Sequence, residues 1–364
     1  MRQAWRAIAG LLAIGVVAAG GSVALADSGG GNGNRGNARA TTVFTMSAAD
    51  GNPEGIAVDK RSGRFFVSRV GTGAIFTGTL GTTALSSFIP GTVTGTPPLA
   101  TGMKVRRGLL YVAGATTGQV RVYNLATPTA APVVFDTHGA DTTSPTFIND
   151  LDVTEDGDVY ATDSFRPFIY KISGAAVKAG GPSTAVQAIP VSPEIQYVTS
   201  ADPKNPAFNL NGIVASDDGH RLTTVQSANG KLWSITFRRG NPAPTARTIR
   251  EITVQGGDGN VAGGDGLLVD RGRLLVVRGS TPSHANGAVD AFKLSRGGTR
   301  ARFESETSDP SLAGPSTIAR DRNRLLVVNA NFAGGATATQ FTVTGLSRNA
   351  IRHGGGGGGR HGRR

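Results

Sequence analysis

A short pattern that returns six times along the chain limits the folds open to it. A polar residue is followed by Gly, Asp or Thr and then by an apolar residue. The copies are Glu54-Gly55-Ile56, Thr101-Gly102-Met103, Asn149-Asp150-Leu151, Asn211-Gly212-Ile213, Asp265-Gly266-Leu267 and Ser316-Thr317-Ile318. Successive copies begin 47, 48, 62, 54 and 51 residues apart, the spacing of propeller blades with loops of unequal length. Each copy leads into short β-branched and aromatic runs separated by Gly-containing turns, such as Arg64-Phe65-Phe66-Val67-Ser68 and Asp158-Val159-Tyr160-Ala161-Thr162. No segment of 41–348 shows a helical period. A unit this small cannot cover both faces of its own sheet, so neighbouring sheets must stack around an axis. The reading is all-β, a six-bladed β-propeller over residues 41–348, whereas a sandwich has no such long-period repeat. The segment 42–47, Thr-Val-Phe-Thr-Met-Ser, is expected to supply the outer strand that closes the last blade.

The ends read differently. Residues 1–26 carry Arg2 and Arg6, an apolar stretch from Gly10 to Ala19 and Ala24-Leu25-Ala26, the layout of a cleavable export signal. An uncleaved anchor is the alternative; cleavage leaves no stable membrane span. Residues 27–40 are a Gly/Asn/Arg-rich flexible spacer, and 349–364 a Gly/Arg/His-rich tail expected to be disordered. The expected location is secreted, extracellular or associated with the cell envelope. The chain has no cysteine, which removes disulfide and thiolate chemistry. Its net charge of +12 comes from arginines scattered through turns, with no aromatic stripe between them. Specific nucleic-acid binding is therefore not expected; weak attraction of the basic tail to acidic surfaces is. The longest insertion, 173–207, contains Pro190, Pro193, Pro203 and Pro206.

In a closed ring, the six leading residues start the innermost strands and converge on one axis. Glu54, Asn149, Asn211 and Asp265 then present two carboxylates and two amide oxygens, a set suited to a hard divalent cation: Ca²⁺ first, with Mg²⁺ or Mn²⁺ possible. The alternative is that each simply hydrogen-bonds backbone or channel water. Thr101 and Ser316 complete the ring, and Asp150 stands beside Asn149 as a supporting carboxylate or a turn residue. Arg69 and Arg278 end the second strands of blades one and five and are candidate pocket residues. Asp163, Ser164, Gln226, Asn229 and Asn329 occupy comparable places. His284 reads as a surface-loop residue near such a rim, and His138 and His220 as loop residues.

With those residues in view, the chain resembles the SMP-30/gluconolactonase group of six-bladed propellers, which includes senescence-marker and organophosphate-hydrolase proteins. The matching pieces are Pro53-Glu54-Gly55-Ile56-Ala57, Phe147-Ile148-Asn149-Asp150-Leu151, Asn209-Leu210-Asn211-Gly212-Ile213 and Gly264-Asp265-Gly266-Leu267, spread over about residues 45–345. The resemblance implies that Glu54, Asn149, Asn211 and Asp265 hold a catalytic divalent metal, usually calcium. It also implies Asp265 as the base that activates water, or the nucleophile towards a phosphotriester. The sequence has no His-His dyad of the kind some secreted lactonases of this group use. The expected function is metal-dependent hydrolysis of lactones or related esters, with a small molecule as substrate. A non-catalytic secreted propeller that binds a ligand, polymer or protein is the alternative, and a sugar lyase or isomerase the next.

Overall fold

The computed structural model describes residues 42–49, 51–92, 98–139, 141–181, 185–202, 205–238, 247–332, 338, 340–349 and 351. The export signal read at 1–26, the spacer at 27–40, Pro203 and most of the 349–364 tail lie outside them.

After β1 (Thr42–Ser47), the chain makes three four-stranded antiparallel blades. The first holds β2 (Pro53–Asp59), β3 (Arg64–Arg69), β4 (Ile75–Thr79) and β5 (Ser86–Ile89). The second holds β6 (Met103–Arg106), β7 (Leu109–Ala113), β8 (Gln119–Asn124) and β9 (Val133–Asp136). The third holds β10 (Ile148–Val153), β11 (Val159–Asp163), β12 (Phe168–Ile172) and β13 (Val186–Pro190). A short helix, α1 (Gly174–Ala179), precedes β13. It corrects the expectation of no helix: Ser173 caps its start by accepting from Ala176 N, and left-handed Gly180 ends it. Part of the insertion is thus the blade's own outer strand.

The next eight strands form one sheet. β14 (Leu210–Ala215), β15 (Arg221–Gln226), β16 (Lys231–Phe237) and β17 (Arg247–Gln255) are followed by β18 (Gly264–Asp270), β19 (Arg273–Arg278), β20 (Ala288–Leu294) and β21 (Arg300–Thr307). The order is β14-β15-β16-β17-β21-β20-β19-β18, because β17 and β21 pair in parallel from Thr253↔Arg300 to Gln255↔Arg302. The edge strands β14 and β18 return to face each other, so this unit is nearly closed. Its interior is the cluster of Val214, Val225, Leu232, Ile252, Leu267, Leu274, Val276 and Phe292. The last blade is β22 (Pro315–Asp321), β23 (Arg324–Asn329) and β24 (Gln340–Ser347) with β1 on the outside.

The expected six-bladed propeller is therefore corrected. The described strands give four four-stranded blades in a propeller-like arrangement, and a nearly closed eight-stranded unit where two further blades were expected. The physical reason lies in strand length. β17 has nine residues and β21 eight, against four in β5 and β9. These long outer strands reach each other and satisfy edge groups that would otherwise face water.

The N-terminal strand does close the last blade, with β1 pairing antiparallel to β24 from Thr42↔Gly345 to Ser47↔Gln340. Phe44 is fully buried there, edge-on to Phe65 at 4.8 Å between ring centroids. Second strands such as β19 (RLLVVR) and β23 (RLLVVN) read as unbroken apolar runs because both faces are covered by neighbouring sheets. No described helix is long and apolar enough to cross a membrane.

Candidate metal centre

The repeated pattern has a structural cause. In β2, β10, β14, β18 and β22 the register against the next strand shifts at the leading pair of residues. Two residues there oppose one, as in a β-bulge, and the local twist turns the leading side chain away from the ladder. The second copy does the same just before β6: Ala113 accepts from Thr101 N and donates to Gly102 O, both at 2.9 Å. Innermost strands follow one another in the order β2, β6, β10, β14, β18, β22 and back to β2. They lie so close that a Cβ at Gly55 would strike the Thr101 carbonyl, and one at Gly212 the Asp265 carbonyl.

Hydroxyl groups stitch this ring. Ser68 Oγ donates to Thr101 O at 2.7 Å, and Thr101 Oγ1 to Ile148 O at 2.9 Å. Thr162 Oγ1 donates to Asn211 O at 2.7 Å, Ser164 Oγ to Leu210 O at 2.6 Å, and Ser316 Oγ to Glu54 O at 2.7 Å. Thr101 and Ser316, read as possible pocket residues, thus spend their hydroxyl protons on neighbouring backbone. They are buried at 1 % and 0 % exposure.

Glu54, Asn149 and Asn211 are buried at the starts of their strands, and Asp265 is half-buried. Asn149 Nδ2 donates to Ser164 Oγ at 2.9 Å and Asn211 Nδ2 to Ser227 Oγ at 3.1 Å. These bonds occupy the amide nitrogens, and the Asn211 side chain also hydrogen-bonds Asp265. Glu54 Oε2, Asn211 Oδ1 and Asp265 Oδ1 are enclosed and have no hydrogen-bond partner among the described residues. Three orphaned oxygens from equivalent bulges are costly in an apolar interior unless something positive meets them.

The electrostatics agree. Burial, then Asp265 and Asp150, push the Glu54 carboxyl well above its ordinary value. Burial and then Asp150 do the same to Asp265, opposed by a hydrogen bond from Asn211. Burial raises Asp150 to about 6 despite the attraction of Lys104. Three carboxyls in mutual repulsion either hold protons or hold a cation. Asp150 Oδ1 also accepts from its neighbour Leu151 N at 2.8 Å, and the side chain lies over Gly102.

No cluster of three or more His, Cys, Asp or Glu side chains arranged around a metal position occurs among the described residues. The four side chains at these bulges, Glu54, Asn149, Asn211 and Asp265, carry oxygen as their only acceptor atoms.

Arg69 and Arg278 are not pocket residues. Both are essentially fully buried. Arg69 bonds the carbonyls of Gly51 and Ser47 and lies 5.2 Å from the Phe76 ring centroid. Arg278 bonds Ala262 O, Asp258 and Asp290. Asp163, Gln226 and Asn329 take the same strand position and also tie inter-blade loops: Asp163 to Phe147 N at 2.9 Å, Gln226 to Asn209 Oδ1 at 2.9 Å, Asn329 to Ala313 N at 3.0 Å. Ser164 belongs to the stitching, and Asn229 donates to Gln226 Oε1 at 3.0 Å. His284 pairs with Glu306 at 2.8 Å.

Sequence reasoning missed a cavity of about 1070 Å³ that contains none of the acids at the bulges. Phe165, Tyr170, Tyr197 and the His138–Asp136 pair line it, with Nδ1 2.8 Å from Oδ1. The length of the 173–207 insertion was its signal, since Tyr197 and Val198 form one wall.

No protein-family model matches the chain, and no curated protein matches it in sequence. Solved structures do share its fold. The Malassezia sympodialis allergen Mala s 1 is 15% identical, with a TM-score of 0.62, over 88% of this chain and 99% of its own. A calcium-binding regucalcin from Agrobacterium tumefaciens is 15% identical with a TM-score of 0.53, over 83% and 94%. A gluconolactonase from Xanthomonas campestris is 17% identical with a TM-score of 0.52, over 85% and 91%. Identities this low establish a common fold and nothing further.

Proposed function

We propose that this chain is an exported, divalent-metal-dependent hydrolase of lactones or related esters. The observation that carries the reading is the trio of enclosed, partnerless oxygens: Glu54 Oε2, Asn211 Oδ1 and Asp265 Oδ1. With Asn149 they make a donor set that fits Ca²⁺, and less closely Mg²⁺ or Mn²⁺. When bound, such a cation polarises an ester carbonyl and offsets the negative charge that develops on its oxygen. A calcium-binding regucalcin and a gluconolactonase share this fold, which makes calcium and lactones the first pair to test.

The chain's own residues do the rest. Asp265 is the only carboxylate of the set that is half-open, so it takes the proton from an attacking water. A cation held by Asp265 would lower its proton affinity, so the base role requires one carboxylate oxygen left off the cation. Asn149 and Asn211, locked by Ser164 and Ser227, hold the substrate's side of the ring open without competing for that proton. Asp150, over Gly102, tunes Asp265 through its charge. A screen of lactones and aryl esters with the full chain tests this. Calcium-dependent turnover that Asp265→Asn abolishes supports it; no turnover on any of them, with calcium bound, removes the catalytic part.

One observation favours ligand binding without turnover: Phe165, Tyr170 and Tyr197 line a cavity of about 1070 Å³ whose walls include none of the axial acids. A ligand that protects Tyr197 while calcium is chelated would support that reading.

A further inference from the structure

The ring of innermost strands has a second end, and its chemistry is opposite. Past the bulges, the six innermost strands line a cavity of about 620 Å³. Lys60, Lys104, Arg106, Arg221 and Arg320 border it, against only two acids, Asp152 and Asp217.

Much of that acidity is already spent. Asp152 lies 3.5 Å from Lys104 Nζ, and its two oxygens accept from Val153 N and Ala215 N, each at 2.8 Å. Arg320 leans outward to Asp270 at 3.3 Å. Neither Lys60 nor Arg106 has a carboxylate partner within salt-bridge distance among the described residues. Burial first, and then Arg320, Arg106 and Lys104, lower the Lys60 ammonium below its ordinary value, against the opposing attraction of Asp217. Cations crowded at one mouth repel each other as the acids do at the other. The walls between them are apolar: Val58, Val105 and Val269, the last 52 % exposed.

We propose that this end of the ring binds a small organic phosphate, its phosphates held by Lys60, Arg106 and Lys104 and its organic body resting on the valines. A guanidinium presents paired N–H donors to phosphate oxygens, while lysine ammonium groups add charge from any direction. The volume suits a metabolite-sized ligand. The site is independent of the metal centre.

Inorganic pyrophosphate serves as the probe, titrated calorimetrically into the full chain with chelator present, so that no divalent ion at the opposite end contributes. We expect one site whose affinity falls steeply between about 50 and about 200 mM salt. Lys60→Ala with Arg106→Ala should weaken it roughly tenfold or more, and Lys231→Ala, an exposed side chain at the start of β16, should not. Lys60→Gln alone keeps the test decisive if the double variant fails to fold. Absent binding, or binding unchanged in Lys60→Gln and the double variant, as the Arg-rich tail alone would give, overturns the proposal.

Discussion

Removing divalent ions should invert the usual response of the protein to acid. Asp150 is buried and its carboxyl is raised from 3.8 to about 6; Glu54 and Asp265 move in the same direction. An acid held more protonated in the native state than in the unfolded state stabilises folding fully below the unfolded value. That contribution is lost as pH rises through the native value. For Asp150 the whole effect is about 3 kcal/mol, of which about 1.4 kcal/mol lies between pH 5 and 8. Glu54 and Asp265 add to it at the upper end. Acids with lowered values, such as Asp59 and Asp258, act oppositely but only as pH falls through the region below about 4. Thermal unfolding in chelator should therefore show a midpoint several degrees higher at pH 5 than at pH 8, at roughly 2 °C or more per kcal/mol. Asp150→Asn should flatten the slope. Calcium in excess should remove it, by adding about 2.7 kcal/mol at a hundredfold excess over Kd, most strongly at high pH. A chelated protein whose midpoint is flat or rises from pH 5 to 8 would refute the clustering of these acids.

Other consequences follow from the same contacts. Thr162→Val strips the hydroxyl that bonds Asn211 O and Asp150 O and should cost about 1–3 kcal/mol in urea titrations. Gly212→Ala drives a methyl into the Asp265 carbonyl; we expect about 1–3 kcal/mol of destabilisation together with weakened calcium binding, because the bulge that aims Asp265 must shift. Arg278→Met leaves buried Asp290 without its guanidinium and should cost about 3–5 kcal/mol, largely recovered in the double variant with Asp290→Asn. Phe44→Ala opens the seam that closes the last blade and should lower stability by about 3–5 kcal/mol.

The leading residues were legible in the sequence because a bulge needs two residues in a fixed place on every inner strand, and the repeat records it. Closure by 42–47 was legible for a similar reason, since a lone β-branched run must find an edge. The eight-stranded unit was not. It depends on how far β17 and β21 extend, and Arg247-Thr248-Ile249-Arg250-Glu251 has too many charges to announce a long strand. Arg69 and Arg278 were misread because a polar residue at a strand end looks alike whether it faces a pocket or turns inward to bind loop carbonyls. The ring-stitching by Ser68, Thr162, Ser164 and Ser316 left no mark of its own, as serine and threonine are common in strands and turns. Lys60 sits in the turn after β2 while Lys104 and Arg106 lie on β6, and only the ring brings them to one mouth.

The most direct measurement is calcium bound per chain at equilibrium, in the full-length protein and in Glu54→Gln and Asp265→Asn. We expect one ion per chain in the native sequence, lost or weakened by orders of magnitude in both variants while the fold is retained. No bound calcium, or binding that neither substitution alters, would contradict an axial metal centre built on these four side chains.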